Sequence, residues 1–180
     1  KYGYINEAMD KKRITALLTK VLKEDPNEVA VKLIDDIKDI GLKYGTICGQ
    51  SVSLADISIP DDREKLLNDG KKLVVEVDNY FKRGLITKSE SRRQKEDIWN
   101  KVVGEIDTAV WNNLDEDNPV KVLVKSGSTK ASRDQVKQLA GMKGLVTDPT
   151  GKTVEIPIFG NFKLGLSALE YFVASRGARK

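Results

Sequence analysis

Gly84-Leu85-Ile86-Thr87-Lys88-Ser89-Glu90 is the stretch on which the fold turns. The glycine predicts a tight connection. Thr87-Lys-Ser-Glu90 has the spacing of a capping box, in which a threonine hydroxyl and a glutamate carboxylate each satisfy a helix-start amide. Beyond it, Ile98, Val102, Ile106, Ala109 and Val110 recur on one face of a helix expected to run to about Asn112, with Trp99 and Trp111 adding large surfaces. Before it, Pro60-Asp61-Asp62 opens another helix, its carboxylates complementing the positive end of the dipole. Leu66, Leu67, Leu73, Val74, Val77, Tyr80 and Phe81 carry that helix to about Arg83, and Gly70 is a weak point costing about 1 kcal/mol against alanine. Two helices of about 20 to 25 residues joined so briefly pack antiparallel, as a hairpin over 61–112 about 30 to 35 Å long. A hairpin of this kind is expected to project. Its charged outer faces read first as solvated; Lys82, Arg83, Lys88 and Arg92, nearest the turn, are the candidates for docking a partner.

Upstream, Ile14, Leu17, Leu18, Val21 and Leu22 mark one buried stripe of a helix over Lys11–Glu24. Asp25-Pro26 breaks it, and a second short helix is expected from Pro26 through Val29, Leu33, Ile37 and Ile40 to a C-terminal cap at Gly41. Residues 45–60 read as a loop with a short strand at Gln50 to Leu54. Downstream, the acidic linker Leu114-Asp-Glu-Asp-Asn-Pro119 divides the chain into 1–117 and 118–180. In the second part Pro119 to Lys125 and Arg133 to Leu139 read as short helices, and Thr153 to Ile158 as a strand that Pro157 confines to an edge or loop. Gly165 to Ala174 starts a further helix. The fold class expected is mainly α: a helical domain with a protruding antiparallel helical hairpin, and a smaller loop-rich α segment with little β.

With 39% hydrophobic and 32% charged residues the 180-residue chain reads as soluble and globular. No apolar run approaches the roughly 20 residues of a membrane span, which points to the cytoplasm. One cysteine, Cys48, and no histidine exclude disulfide frameworks, Cys/His zinc sites and Ser-His or Cys-His catalysis within the chain. No catalytic residues, no metal ligands and no phosphate-binding glycine loop stand out. The chain begins at Lys1 and stops inside a helical pattern at Gly177-Ala-Arg-Lys180, which reads as a segment cut from something larger.

The net charge of +4 is uneven: residues 120–180 hold 11 Lys/Arg against 4 Asp/Glu, so the last third is strongly basic. Lys130, Arg133, Lys137 and Lys143 lie close together in sequence, and Arg133 and Lys137, at i and i+4, are placed to meet a phosphate-bearing ligand jointly.

The run Gln135-Val-Lys-Gln-Leu-Ala-Gly-Met-Lys-Gly-Leu-Val-Thr-Asp-Pro149, followed by Glu155-Ile-Pro-Ile158, Asn161-Phe162, Leu169-Glu-Tyr-Phe-Val173 and Gly177-Ala-Arg-Lys180, resembles the β′-subunit family of bacterial multi-subunit RNA polymerases. Tyr2-Gly-Tyr-Ile-Asn-Glu7, Ile37 to Tyr44, Ser51-Val-Ser53, Gly84-Leu-Ile-Thr87 and Asn118-Pro119 agree in order and spacing. The resemblance implies a piece of a DNA-binding nucleotidyltransferase of transcription. The hairpin would be the rim helices at the mouth of the secondary channel (the funnel), Gly144 to Phe162 the F-loop, and Leu169 to Lys180 the start of the bridge helix. It implies that Lys130, Arg133, Gln135, Lys137, Met142 and Lys143 line the channel for nucleoside triphosphates and the RNA 3′ end. It also implies that the rim docks transcript-cleavage or regulatory factors, and that other polymerase subunits are partners. Mg²⁺ would belong to the parent enzyme, because the family's Asp-rich metal motif and its trigger loop are absent here and no cofactor is expected in this chain. Arg176 stands where the family usually has histidine, Gly45 where alanine is usual, and Ser128-Thr-Lys-Ala131 departs from the family's Ala-Arg-Gly. The alternative is a freestanding helical binding protein, a decoy for factors that dock on polymerase. Such a protein should bury the face carrying Leu166, Leu169, Phe172 and Val173.

Overall fold

A computed structural model describes residues 2–127, 129–148 and 150–178, which are mainly helical. The order is α1 (Lys11–Glu24), α2 (Asn27–Cys48), a 3₁₀ turn (Leu54–Asp56), α3 (Arg63–Lys82), α4 (Lys88–Asn112), α5 (Pro119–Ser126), α6 (Arg133–Ala140) and α7 (Ala168–Ala178). Among the described residues, β pairing is limited to isolated antiparallel bridges, Gly144 with Ile158, Thr147 with Thr153 and Asn161 with Gly165. Of the residues that carry the family resemblance or depart from it, Ser128, Pro149, Arg179, Lys180 and the side chain of Arg176 lie outside the described residues.

α3 and α4 pair as the antiparallel hairpin, and its turn forms by a defined mechanism. Gly84 takes φ +72°. The Leu85 amide donates to the Tyr80 carbonyl at 3.0 Å and the Gly84 amide to that of Phe81 at 2.9 Å, the two reversed bonds of a Schellman ending. Thr87 Oγ1 then caps α4 by accepting from the Glu90 amide at 3.2 Å. The reciprocal half of the expected capping box does not form. The Glu90 carboxylate accepts instead from Arg93 and Gln94, each at 3.1 Å, because donors three and four residues on share its helix face.

Four local expectations are corrected. α2 does not stop at Gly41 but runs through it to Cys48 and ends at Gly49, whose φ is +59°. Gly41 and Gly45 face open space, an interior glycine costs only about 1 kcal/mol, and Ile37, Ile40, Tyr44 and Ile47 continue the helical spacing. No strand forms at 50–54. Ser53 Oγ accepts from the Ala55 amide at 3.1 Å and Asp56 accepts from the Ser53 amide at 2.7 Å, so side-chain bonds close a 3₁₀ turn there. The stripe of α1 is only half covered: Val21 is buried, Ile14, Leu17 and Leu18 are intermediate, and Leu22 is exposed. Lastly, the acidic linker does not separate two cores. Leu114 and Val120 on its two sides join Trp99, Ile106, Val136 and Met142 in one cluster, which contains no residue of α1 or α2.

What fastens the last third of the chain onto the hairpin is polar as well as apolar. The Arg63 side chain, buried at the first turn of α3, donates from Nε to the Gly141 carbonyl and from Nη2 to the Phe159 carbonyl, both at 2.6 Å. Asn161, fully buried, donates from Nδ2 to the carbonyls of Ala140 and Gly141 at 3.2 Å and accepts from the Leu164 amide at 2.8 Å. Lys163 donates to the Ile57 carbonyl. The Phe159 ring meets the edge of Trp99 at a centroid distance of 5.1 Å.

Gly70 is not the weak point its helix propensity implies. It is buried where α3 crosses α4, and a Cβ there would lie 2.8 Å from Val102 Cγ2 and 3.0 Å from Trp99 Cζ3. Gly70→Ala should therefore destabilise the chain by about 1 to 3 kcal/mol in urea unfolding, overpacking outweighing the gain of about 1 kcal/mol in helix propensity. A rise in stability would show that the two helices do not approach this closely.

Candidate functional site

Two surfaces were expected to carry function, the hairpin tip and the cations around α6. At the tip, Lys82, Arg83 and Lys88 are exposed and, among the described residues, form no ion pair. Tyr80 (46% exposed), Phe81 (42%) and Leu85 (65%) share this end of the hairpin, giving a small aromatic and aliphatic patch among cations. The Schellman ending holds Leu85 in place without using its side chain, which leaves the patch free to meet a partner. Arg92 belongs elsewhere. Half-buried, it pairs with Glu96 at 3.1 Å and donates to the Thr153 carbonyl, so it ties the 144–158 segment to α4.

Around α6 the structure spends two of the four candidate cations internally. Arg133 and Lys137 do not converge on a common ligand position. Arg133 Nε lies 2.8 Å from Asp107 on α4, an ion pair without hydrogen-bond alignment, and the guanidinium sits 5.3 Å from the Trp111 ring centre. Lys137 is buried along its stem and bonded to Asp134. That hydrogen bond holds the Asp134 carboxyl below the usual carboxylate range, against the opposing effect of burial. Gln135 closes the capping box of α6 by accepting from the Ser132 amide at 2.7 Å. Met142 is wholly buried in the core and offers no surface to a ligand within this chain. Lys130 is exposed, and Lys143 Nζ lies 5.1 Å from the Phe162 ring centre; among the described residues neither forms an ion pair.

Among the described residues there is no group of three or more His, Cys, Asp or Glu able to hold a metal ion. The acidic run Asp115-Glu-Asp117 does not fit Mg²⁺ either. Glu116 is committed to Lys125 and, at 3.0 Å, to Lys121, and those bonds, Lys125 first, hold its carboxyl below the usual range. No described helix is long and apolar enough to cross a membrane.

Residues that organise the site escaped the sequence pattern. Arg63 occupies the start of the same stripe as Leu67, Gly70 and Val77, and an arginine in register with buried positions was the available signal. Asn161 and Lys121 gave none. Lys121 is buried and donates to the Leu114 carbonyl at 2.7 Å, a partner seven residues back that no helical spacing marks. Glu170 lies three residues after Ser167, the spacing of a capping box, which it forms by accepting from the Ser167 amide at 3.0 Å.

Residues 83–163, from the hairpin tip through the α6 cations to Lys163, match the family described as RNA polymerase Rpb1, domain 4. Over nearly its whole length the chain is also similar to curated subunits of one kind. It is 40% identical over 177 residues to the DNA-directed RNA polymerase subunit β′ of Thermosipho melanesiensis, covering 97% of this chain and 11% of that protein. It is 37% identical over 178 residues to that of Desulforamulus reducens, covering 99% of this chain and 15% of the relative. The subunit of Caldanaerobacter subterraneus subsp. tengcongensis is 36% identical over 176 residues, with 98% and 15% covered. The chain thus spans 15% or less of the length of these relatives. A match along almost all of the chain assigns it: the chain belongs to the family of DNA-directed RNA polymerase β′ subunits.

Proposed function

We propose that this chain serves transcription as a non-catalytic part of DNA-directed RNA polymerase, a nucleotidyltransferase, with the α3–α4 hairpin as a docking surface for transcript-cleavage or regulatory factors at the rim of the secondary channel. The observation that carries this reading is the tip: three exposed cations, Lys82, Arg83 and Lys88, surround exposed Tyr80, Phe81 and Leu85 on a turn held rigid by its own backbone. Such a surface suits an acidic partner with an apolar centre, the charges steering encounter and the apolar patch supplying contact. Lys130 and Lys143, the cations that internal pairing leaves over, are the channel positions that would meet triphosphates or the RNA 3′ end. Arg133 and Lys137 would act through the shape of α6, since Asp107 and Asp134 neutralise them. The Mg²⁺ of the reaction would be held by another part of the enzyme.

The exposed apolar faces accord with a part of an assembly. Leu169 is 79% exposed and Phe172 66%, although Leu166 and Val173 of the same segment are half-covered. Ile40, Leu42, Tyr44 and Ile47 of α2 are exposed as well. Other polymerase segments or subunits are the proposed cover, which disfavours a freestanding binding protein.

Reversing the charges of Lys82, Arg83 and Lys88 together, in polymerase carrying this chain, should weaken a cleavage factor's apparent affinity about tenfold or more and flatten its salt dependence. Transcription without the factor should be unchanged. Factor-stimulated transcript cleavage that is unaffected by the triple reversal would remove the tip from the docking surface. Arg92 is left intact in this test because it holds Thr153.

A further inference from the structure

The peptide unit joining Phe159 to Gly160 is bound from two sides by opposite charges. Its carbonyl accepts from Arg63 Nη2 of α3 at 2.6 Å, and its N–H donates to Glu170 Oε1 of α7 at 2.9 Å. The same arginine holds the Gly141 carbonyl at 2.6 Å through Nε. The same glutamate starts α7: Oε2 accepts from the Ser167 amide at 3.0 Å and from the Ser167 hydroxyl at 2.8 Å, and Ser167 Oγ accepts from the Glu170 amide at 3.3 Å. Burial favours the neutral form of Glu170, but these backbone donors outweigh it and leave its carboxyl below the usual range.

A peptide unit is planar and stiff, with a barrier of about 18 to 20 kcal/mol to rotation about its C–N bond, so its carbonyl and N–H move together. A cation at one end and an anion at the other polarise it in the same sense, and each bond strengthens the other. The unit also has no room to tip. A Cβ on Gly160 would lie 2.6 Å from Leu166 Cδ2, 3.1 Å from Glu170 Oε2 and 3.2 Å from the Gly165 carbonyl. In the first turns of α7, Leu169, Tyr171 and Phe172 are exposed, Val173 is half-covered and Ala174 is buried.

We infer that the Phe159–Gly160 peptide is a rigid link through which the α3–α4 hairpin positions the start of α7, with Arg63 and Glu170 as the positioning residues at its two ends. Of the two bonds Arg63 makes, the one to Phe159 leads directly to Glu170 through this unit, whereas the one to Gly141 reaches only the loop before α7, by way of Asn161. Coupling of this kind is reciprocal: a change at Glu170 must be felt at Arg63. The link is independent of whatever docks at the hairpin tip.

The test uses nuclear magnetic resonance of the 180-residue chain, with Glu170→Gln, which keeps side-chain shape and removes the charge, and Arg63→Lys, which keeps the charge but loses the planar fork that spans two carbonyls. Glu170→Gln should speed hydrogen exchange at the Gly160 amide about tenfold, the loss of one hydrogen bond to a charged group, and should also speed exchange at Arg63 Nε–H. Arg63→Lys should speed exchange at the Tyr171 amide while the α4 amides around Ile106 stay protected. An Arg63 Nε–H unchanged in Glu170→Gln overturns the link, as does an unchanged Tyr171 amide in Arg63→Lys. Should Arg63→Lys loosen α4 as well, the Arg63 Nε–H reading in Glu170→Gln decides alone.

Discussion

The carbonyl oxygen of Gly141 is the point on which the packing of α3, α6 and the loop before α7 depends. It accepts from Arg63 Nε at 2.6 Å and from Asn161 Nδ2 at 3.2 Å, so the first turn of α3, the end of α6 and the loop before α7 meet at one atom. Only glycine fits there: a Cβ would lie 2.6 Å from Ile106 Cγ2 and 3.1 Å from Val110 Cγ2 of α4. Burial lowers the Arg63 pKa from its usual value, partly offset by the nearby carboxylates of Glu64 and Glu170. The guanidinium is tolerated because two carbonyls accept hydrogen bonds from it, hydrogen bonds to a charged group being worth roughly 1.5 to 3 kcal/mol each. Without it those carbonyls would be buried and short of donors, which costs more than an unmade surface contact.

This placement decides what is left for function. Anchoring at the base of the hairpin leaves the opposite end, from Tyr80 to Lys88, outside the core, and its cations and aromatics therefore face outward. The same packing brings α6 against α4, where Asp107 can reach Arg133, and the cations of α6 become structural. Charge in the last third is therefore a poor guide to where an anion would bind. Much of the basic excess neutralises carboxylates or caps carbonyls, as Lys121, Lys137 and Lys163 do.

The helical plan was legible because it is written in local signals. Gly84 and Thr87 mark the end of one helix and the start of the next within a few residues, and the ends of α3 and α4 fall close to where those signals put them. Two glycines misled for opposite reasons. Gly41 reads as a stop but faces solvent inside α2, where nothing requires the helix to end; Gly70 reads as a flaw but lies at the α3–α4 crossing, which is invisible without the partner helix. The candidate site was less legible. The pairing of Lys137 with Asp134 is a short-range spacing and open to view, whereas Arg133 with Asp107 and Arg63 with Gly141 span 26 and 78 residues, beyond any periodic pattern. Met142 sits among channel candidates in sequence, yet the turn after α6 directs it into the core.

The most direct measurement of this account is the stability of Asn161→Asp across pH. The substitution keeps shape but replaces an amide donor facing two carbonyl oxygens with an acceptor. At neutral pH a loss of about 3 kcal/mol or more is expected, from two broken hydrogen bonds and a buried unpaired charge. Burial against acceptors raises the folded-state pKa of the new carboxyl, so the variant binds its proton more tightly folded than unfolded, and its deficit should shrink as pH falls through that pKa. Recovery in acid with a large deficit at neutral pH is the predicted result. A variant as stable as the parent at neutral pH would contradict the account, because the carbonyls of Ala140 and Gly141 would then not depend on Asn161.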